Sequence, residues 1–246
     1  MTVLKSVGMS KPTVEWTGLR PPHPEALGGA SLRERKKRLM RQRLSDTATE
    51  MFLDRGFDAV RVVEVAEACG VSEKTVYNYF PTKESLLLDR WEATMTSLRV
   101  GLADTGVSPV QAALRILGHE LESIATWLAA QADPAAARAL YRRFGTMIWA
   151  TPALRAHQRE MTDQLVGVAS EVMAGRLAMD PHDPRAQMAA IAVVGLWQVQ
   201  SRSLGRHLEE TGSLRQVRRA VTDDVERAAL LIDAGLRTLE HGGSGT

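Results

Sequence analysis

The 246-residue chain has one cysteine, few aromatic residues (5%), a formal net charge of only +2 and no long apolar run. A single cysteine, Cys69, excludes an internal disulfide and any multi-cysteine zinc site, so a small core position is the role expected of it. The longest apolar stretch, 188–197, is about half the length a membrane-spanning helix needs. Lys5 and Lys11 at the amino end have no apolar block behind them, so no secretory leader is expected and the chain reads as cytoplasmic, with no membrane partner. A near-neutral charge rules out binding nucleic acid as a general polycation, and any such binding has to be local. Runs of β-branched residues are short and 44% of the chain is hydrophobic, which fits an all-α protein with a substantial core.

The signatures of catalysis are missing as well. His119-Glu120 opens a zinc-protease pattern, but Ser123 stands where the second histidine is required. The glycine-rich tail from Gly242 to Thr246 ends without the last glycine of a nucleophile elbow and has no strand before it. His23, His157, His182, His207 and His241 are scattered, and none makes a ligand pair at helical spacing. No cofactor, metal or enzymatic activity is expected.

What the chain does carry is one continuous pattern at 39–87. Leu44, Ala48, Met51 and Phe52 recur at helical spacing in a first helix predicted over 39–55, which Gly56 closes. A second helix of about two turns follows over 62–69, Gly70 suits a tight turn, and Ser72 suits the cap of a third helix, Glu73–Tyr79. On that helix Val76 and Phe80, four apart, should point inward with Val65 and Phe57. Glu73, Lys74, Tyr77 and Asn78 are left on or beside the outer face. About 10 Å of helix suits a DNA major groove, where lysine can meet guanine acceptors, asparagine an adenine edge, and threonine a thymine methyl. Tyr77, Tyr79 and Lys83 suit positioning contacts to phosphate. Upstream, 32–43 holds seven basic residues against one acidic, and Arg33, Arg35, Lys36 and Lys37 are expected to act as an arm along the phosphate backbone or in the minor groove.

This stretch resembles the DNA-binding domain of tetracycline-repressor-like (TetR-family) transcription factors through Gly56, Phe57, Val65, Ala66, Gly70, Val71, Ser72, Thr75, Tyr77, Tyr79, Phe80, Lys83, Glu84 and Leu86. The resemblance implies base or groove contacts from Glu73, Lys74, Thr75 and Asn78, with Ser72 beside them. It implies phosphate contacts from Tyr77, Tyr79 and Lys83, Lys83 lying just inside a fourth helix capped by Thr82. One departure is visible: Val60-Arg61 replaces the usual hydroxyl pair before the second helix. Loss of that cap costs about 1 kcal/mol locally, and Arg61 offers a charged contact instead.

Beyond the reader, Ser108-Pro109, Asp133-Pro134, Thr151-Pro152 and Asp183-Pro184 each place a capping side chain before a proline at a first helical position. With Gly212-Ser213 these divide the rest into helices over 83–104, 109–131, 134–150, 152–179, 184–210 and 213–240, about nine in all. The domains expected are a disordered extension, 1–30, the arm and helix-turn-helix, 31–82, a helical effector-binding and dimerisation bundle, 83–240, and a disordered tail, 241–246. The family implies a small, often apolar effector inside that bundle and dimerisation through its last two helices. Trp91, Met95, Ile116, Trp127, Phe144, Met147, Ile148, Met161 and Leu165 are the pocket candidates, with His119 and the Arg142-Arg143 pair as polar groups for a ligand's head, such as that of an acyl thioester. Ala189, Val193, Trp197 and Leu204, then Val225, Ala228, Ile232 and Leu236, form apolar stripes at 3.6-residue spacing, expected at a homodimer interface. The reading is a one-component regulator, released from a palindromic double-stranded operator by its effector. The alternative is an architectural DNA-binding protein whose bundle only dimerises.

Overall fold

The computed structural model describes residues 31–88, 91–210 and 212–242, except the side chains of 91–92 and 237–242. The expected disordered extension and most of the expected tail lie outside the described residues. Among those described are nine α-helices and no strand: α1 Leu32–Arg55, α2 Val62–Ala68, α3 Glu73–Tyr79, α4 Trp91–Ala103, α5 Pro109–Ala130, α6 Pro134–Ala150, α7 Pro152–Arg176, α8 Pro184–Glu209 and α9 Leu214–Gly242. A short 3-10 turn, Glu84–Leu86, sits between α3 and α4.

Three boundaries differ from the sequence reading by three residues or more. α1 begins at Leu32 rather than 39, because Ser31 and Glu34 form a capping box: the Glu34 N–H donates to the Ser31 hydroxyl (3.3 Å) and the Ser31 N–H to the Glu34 carboxylate (2.7 Å). The continuous fourth helix expected from 83 is broken. Thr82 does cap, accepting from the Ser85 N–H (3.1 Å), but only for the 3-10 turn, and α4 starts at Trp91. α7 stops at Arg176, where the chain turns and Ala178 takes φ 51°. The starts marked by proline hold. Ser108, Asp133 and Asp183 each accept from first-turn N–H groups, whereas Thr151 makes no side-chain cap because it also closes α6.

Two hydrophobic cores result. The head, α1 to α3 with the 3-10 turn, closes around Leu44, Phe52, Val65, Phe80 and Leu86, each buried side chain contributing roughly 1.5–3 kcal/mol. The body, α4 to α9, closes around Leu98, Leu117, Leu128, Leu165, Met173 and Leu196. The cores exchange residues at their boundary. Leu53 of α1 is buried in the body, Ile148 of α6 and Leu154 of α7 are buried in the head, and Phe144 and Met147 of α6 pack against both.

α6 is also tied to its neighbours by two arginines on main-chain carbonyls. Near its start, Arg138 donates to the carbonyls of Leu208 (2.9 Å), Gly212 (2.7 Å), His207 (3.1 Å) and Glu210, closing the end of α8 and the turn into α9. A helix end leaves its last carbonyls without intrahelical partners, and one guanidinium fork supplies them here. Further along, Arg143 donates to the Leu53 carbonyl in the head (2.7 Å). Arg138→Ala is therefore expected to lower the free energy of unfolding by about 3 kcal/mol, as charged hydrogen bonds to several carbonyls are lost at once. Denaturant titration checks this, and a change below about 0.5 kcal/mol would remove Arg138 from the fold's main supports.

Candidate nucleic-acid interface

The turn between α2 and α3 is built as its residues require. Cys69 is buried and ends α2, its N–H falling on the Val65 carbonyl at 3.1 Å, and Gly70 takes φ 67°, a conformation costly for a residue with a Cβ. Ser72 then caps α3, accepting from the Thr75 N–H (3.1 Å), and the Ser72 and Thr75 hydroxyls share a further bond of 2.8 Å. Val76 and Phe80 are buried, which anchors the inner face of α3, while Glu73, Lys74, Tyr77 and Asn78 are exposed on the other side. At 46% exposure Tyr77 is one of the largest uncovered apolar rings, and nothing in the subunit's own packing calls for it there.

Tyr79 and Lys83 lie differently. Tyr79 is half-buried against the head core, and its carbonyl accepts from Arg41, whose guanidinium also stands 4.4 Å from the centroid of the Phe80 ring. Lys83, expected in a helix and aimed at phosphate, is outside the helix and turned inward. Its ammonium donates to the Phe57 carbonyl (2.6 Å) and sits 4.3 Å from the Phe57 ring and 5.6 Å from that of Phe52. Burial lowers its pKa, with Asp58, Glu84 and Glu64 acting in the opposite sense. Nothing in the spacing of 83 signals this, because the carbonyl it meets lies at the distant close of α1.

At the departure from the family pattern, Val60 is fully buried and Arg61 is exposed. The missing hydroxyl is offset by Glu64, whose carboxylate accepts from the Arg61 N–H (2.8 Å) and from Arg55 (2.8 Å) and is held below its ordinary pKa by those bonds. An acidic residue three places after a helix cap is a signal that the sequence itself carries. The basic run is helical rather than an unstructured arm: Arg33, Arg35, Lys36 and Lys37 are all exposed on the first turns of α1.

In the body, the pocket candidates are spread over both cores and the surface. Ile148 belongs to the head core, Trp127 and Leu165 are buried in the body core, and His119 is exposed. Met95, Ile116, Phe144, Met147 and Met161 are half-buried, and the side chain of Trp91 lies outside the described residues. Arg142 pairs with Glu209 at 3.8 Å and Arg143 with the Leu53 carbonyl, so the arginine pair is engaged structurally. A polar link missed by sequence reasoning joins three helices: Glu120 of α5 accepts from the Thr94 hydroxyl of α4 (2.8 Å) and the Trp197 indole of α8 (3.1 Å). Beside it, Trp127, Tyr141 and Phe144 form a row with ring centroids 6.2 Å apart at each step.

The residues of the expected dimer stripes are largely packed within the subunit. Ala189, Val193, Leu204, Val225 and Leu236 are buried inside the single subunit, with Trp197, Ala228 and Ile232 packed against the same core. Their 3.6-residue period is that of α8 and α9 folding onto each other, α8 onto α7 and α9 onto α5. Among the described residues, the large apolar side chains these helices leave outside are Met188 (61% exposed), Ile191 (49%), Leu230 (69%) and Leu231 (81%).

Among known proteins, the family described as bacterial regulatory proteins, tetR family, matches residues 44–89, and the family described as MftR C-terminal domain matches 123–242. The HTH-type transcriptional regulator TcmR of Streptomyces glaucescens is 31% identical over 182 residues, 68% of this chain and 74% of that protein. The uncharacterized HTH-type regulator YdeS of Bacillus subtilis (strain 168) is 38% identical over 61 residues, 25% of this chain and 30% of that protein. A solved TetR-family regulator from Streptomyces coelicolor overlaps 81% of this chain and 99% of its own at 20% identity, with a TM-score of 0.43.

The placement of Lys83 generates a measurable expectation. Lys83→Met should lower head stability by about 2 kcal/mol, the sum of a charged hydrogen bond and a cation–π contact. An unfolding midpoint unchanged within error would show that the inward placement contributes nothing.

Proposed function

This chain belongs to the tetR family of bacterial regulatory proteins, DNA-binding transcriptional regulators, and on that footing we propose that it is a homodimeric repressor of a palindromic operator, released by a small, partly apolar effector. The observation that carries the reading is the face of α3. A buried Val76-Phe80 edge holds the helix while Glu73, Lys74, Tyr77 and Asn78 stand free on the outside. In this reading Lys74, Asn78 and Thr75 meet base edges, Glu73 and Ser72 border them, and Tyr77 with the accessible edge of Tyr79 fixes the helix on phosphate. Arg61 and the helical run with Arg33, Arg35, Lys36 and Lys37 add backbone contacts. Lys83 acts by holding the end of α1 against the reader.

Two readers need two subunits. The exposed Met188 and Ile191 on α8 and Leu230 and Leu231 on α9 supply an apolar face on neighbouring helices, suited to a two-fold four-helix contact. Such a dimer sets its readers about one turn of DNA apart or somewhat more. For the effector, the Trp127-Tyr141-Phe144 row between α5 and α6 favours an aromatic or apolar body, and the engaged Arg142-Arg143 pair weakens the case for an acyl thioester held there. Release follows when a ligand at that row displaces α6, because α6 is fixed to the α8–α9 turn by Arg138 and to the head by Arg143, Ile148 and Met147. The architectural alternative differs in one respect: its operator affinity would answer to no small molecule.

Selection of bound sequences from random DNA, followed by mobility shift, tests the reader. Tyr77→Ala should weaken binding to all sequences alike, while Lys74→Ala should chiefly relax preference at one base pair per half-site, by about 1–3 kcal/mol. Unchanged binding by both variants sinks the assignment of α3. Leu231→Glu should give a folded monomer in sedimentation at micromolar protein, and a dimer that survives this substitution together with Ile191→Glu would place the interface elsewhere.

A further inference from the structure

A hollow of about 410 Å³ opens between α5 and α9, within the size range of small-molecule sites, and none of the residues proposed for DNA, effector or dimer contact lines it. Its walls are Gly118, Leu121 and Glu122 of α5, and Arg215, Arg218, Arg219, Thr222 and Asp223 of α9. Leu121 is buried and forms an apolar floor. Gly118 has nothing within 4 Å of where a Cβ would stand, so the α5 wall is open at that point.

The charges are unevenly matched. Arg218 is paired with Glu122 across the hollow, which neutralises both. Arg215 and Arg219, four apart and so on one face of α9, make no ion pair among the described residues. Thr222 adds a hydroxyl one turn on, and the first turn of α9 adds the partial positive charge of a helix start. Asp223 is the opposing group, exposed at the margin. Two guanidinium groups and a hydroxyl above an apolar floor suit a planar or tetrahedral anion carrying a small apolar body, since arginine pairs bidentately with carboxylate and phosphate. The apolar pair proposed for dimerisation lies further along the helix. Leu231 is about 160° round α9 from Arg215, and Leu230, about 20° round from Arg219, stands about 16 Å further along the axis at 1.5 Å per residue.

We propose that this hollow is a binding site for a small organic anion, a phosphate ester or a carboxylate, held by Arg215, Arg219 and Thr222 with its apolar part over Leu121. The site is independent of the effector reading, because its occupancy can be measured without operator.

Calorimetric titration of the full-length protein with phenyl phosphate, benzoate and benzyl alcohol tests it, the first two sharing a ring and differing in head group and the third carrying no charge. Saturable binding of phenyl phosphate or benzoate is expected, with benzyl alcohol at least about tenfold weaker, and whichever anion binds more tightly names the head group. Arg215→Gln with Arg219→Gln should weaken the anion at least about tenfold, and Gly118→Leu should do the same by filling the hollow without changing charge. Both variants alter exposed positions, and retained helicity and thermal midpoint show that they fold. No saturation by either anion below about 10 mM overturns the proposal, as does equal binding of benzyl alcohol or undiminished binding in both folded variants. If operator binding fails while these results hold, the regulator reading falls and the anion site stands.

Discussion

The structure depends on how α6 is held. Arg138 gathers four carbonyls at the close of α8 and the turn into α9, and five residues on Arg143 takes a carbonyl at the close of α1. Both arginines act on helix ends, where carbonyls have lost their intrahelical donors and would otherwise depend on water. α6 is consequently a strut that joins the turn between α8 and α9 to the reading head. Packing repeats the link: Ile148 is buried in the head and Phe144 and Met147 touch both cores, so the head cannot rotate about its joint without disturbing the end of α6.

Two packed routes join body and head. α7, packed along α4, buries Leu154 in the head core, and α6 reaches the head through buried side chains and a charged hydrogen bond. The aromatic row lies on the same strut, since Tyr141 and Phe144 belong to α6 and face Trp127 of α5. The row and the contacts with the head therefore lie along one helix.

Much of the architecture was legible because it is written in local chemistry. Proline after Ser108, Asp133 and Asp183 marks helix starts whose caps form as expected, and the inward pair Val76-Phe80 follows from spacing alone. The start of α1 was legible too in the Ser31-Glu34 box but was hidden behind the stronger impression of a basic run. What could not be read is where long side chains go. Arg138, Arg143, Arg41 and Lys83 look alike as surface cations, yet each reaches a carbonyl more than 20 positions away. Charge in a sequence says that a group is polar, not whether its partner is water, phosphate or the chain itself.

The dimer stripes show the matching limit for apolar residues. A period of 3.6 establishes that one face of α8 and one of α9 are covered, and says nothing about what covers them. In a bundle the first claim on such a face is the subunit's own neighbour, and Val193, Leu204 and Val225 are spent on it. An interface must then be sought among apolar residues out of phase with that stripe. Met188, Ile191, Leu230 and Leu231 meet this condition, and their exposure has no account in the fold of one chain. If a second copy covers them, the four carbonyls held by Arg138 lie at the end of the very hairpin that dimerises. The spacing of two readers on DNA and the seating of two hairpins on each other are then joined through one helix per subunit, and neither can change while the other stays fixed.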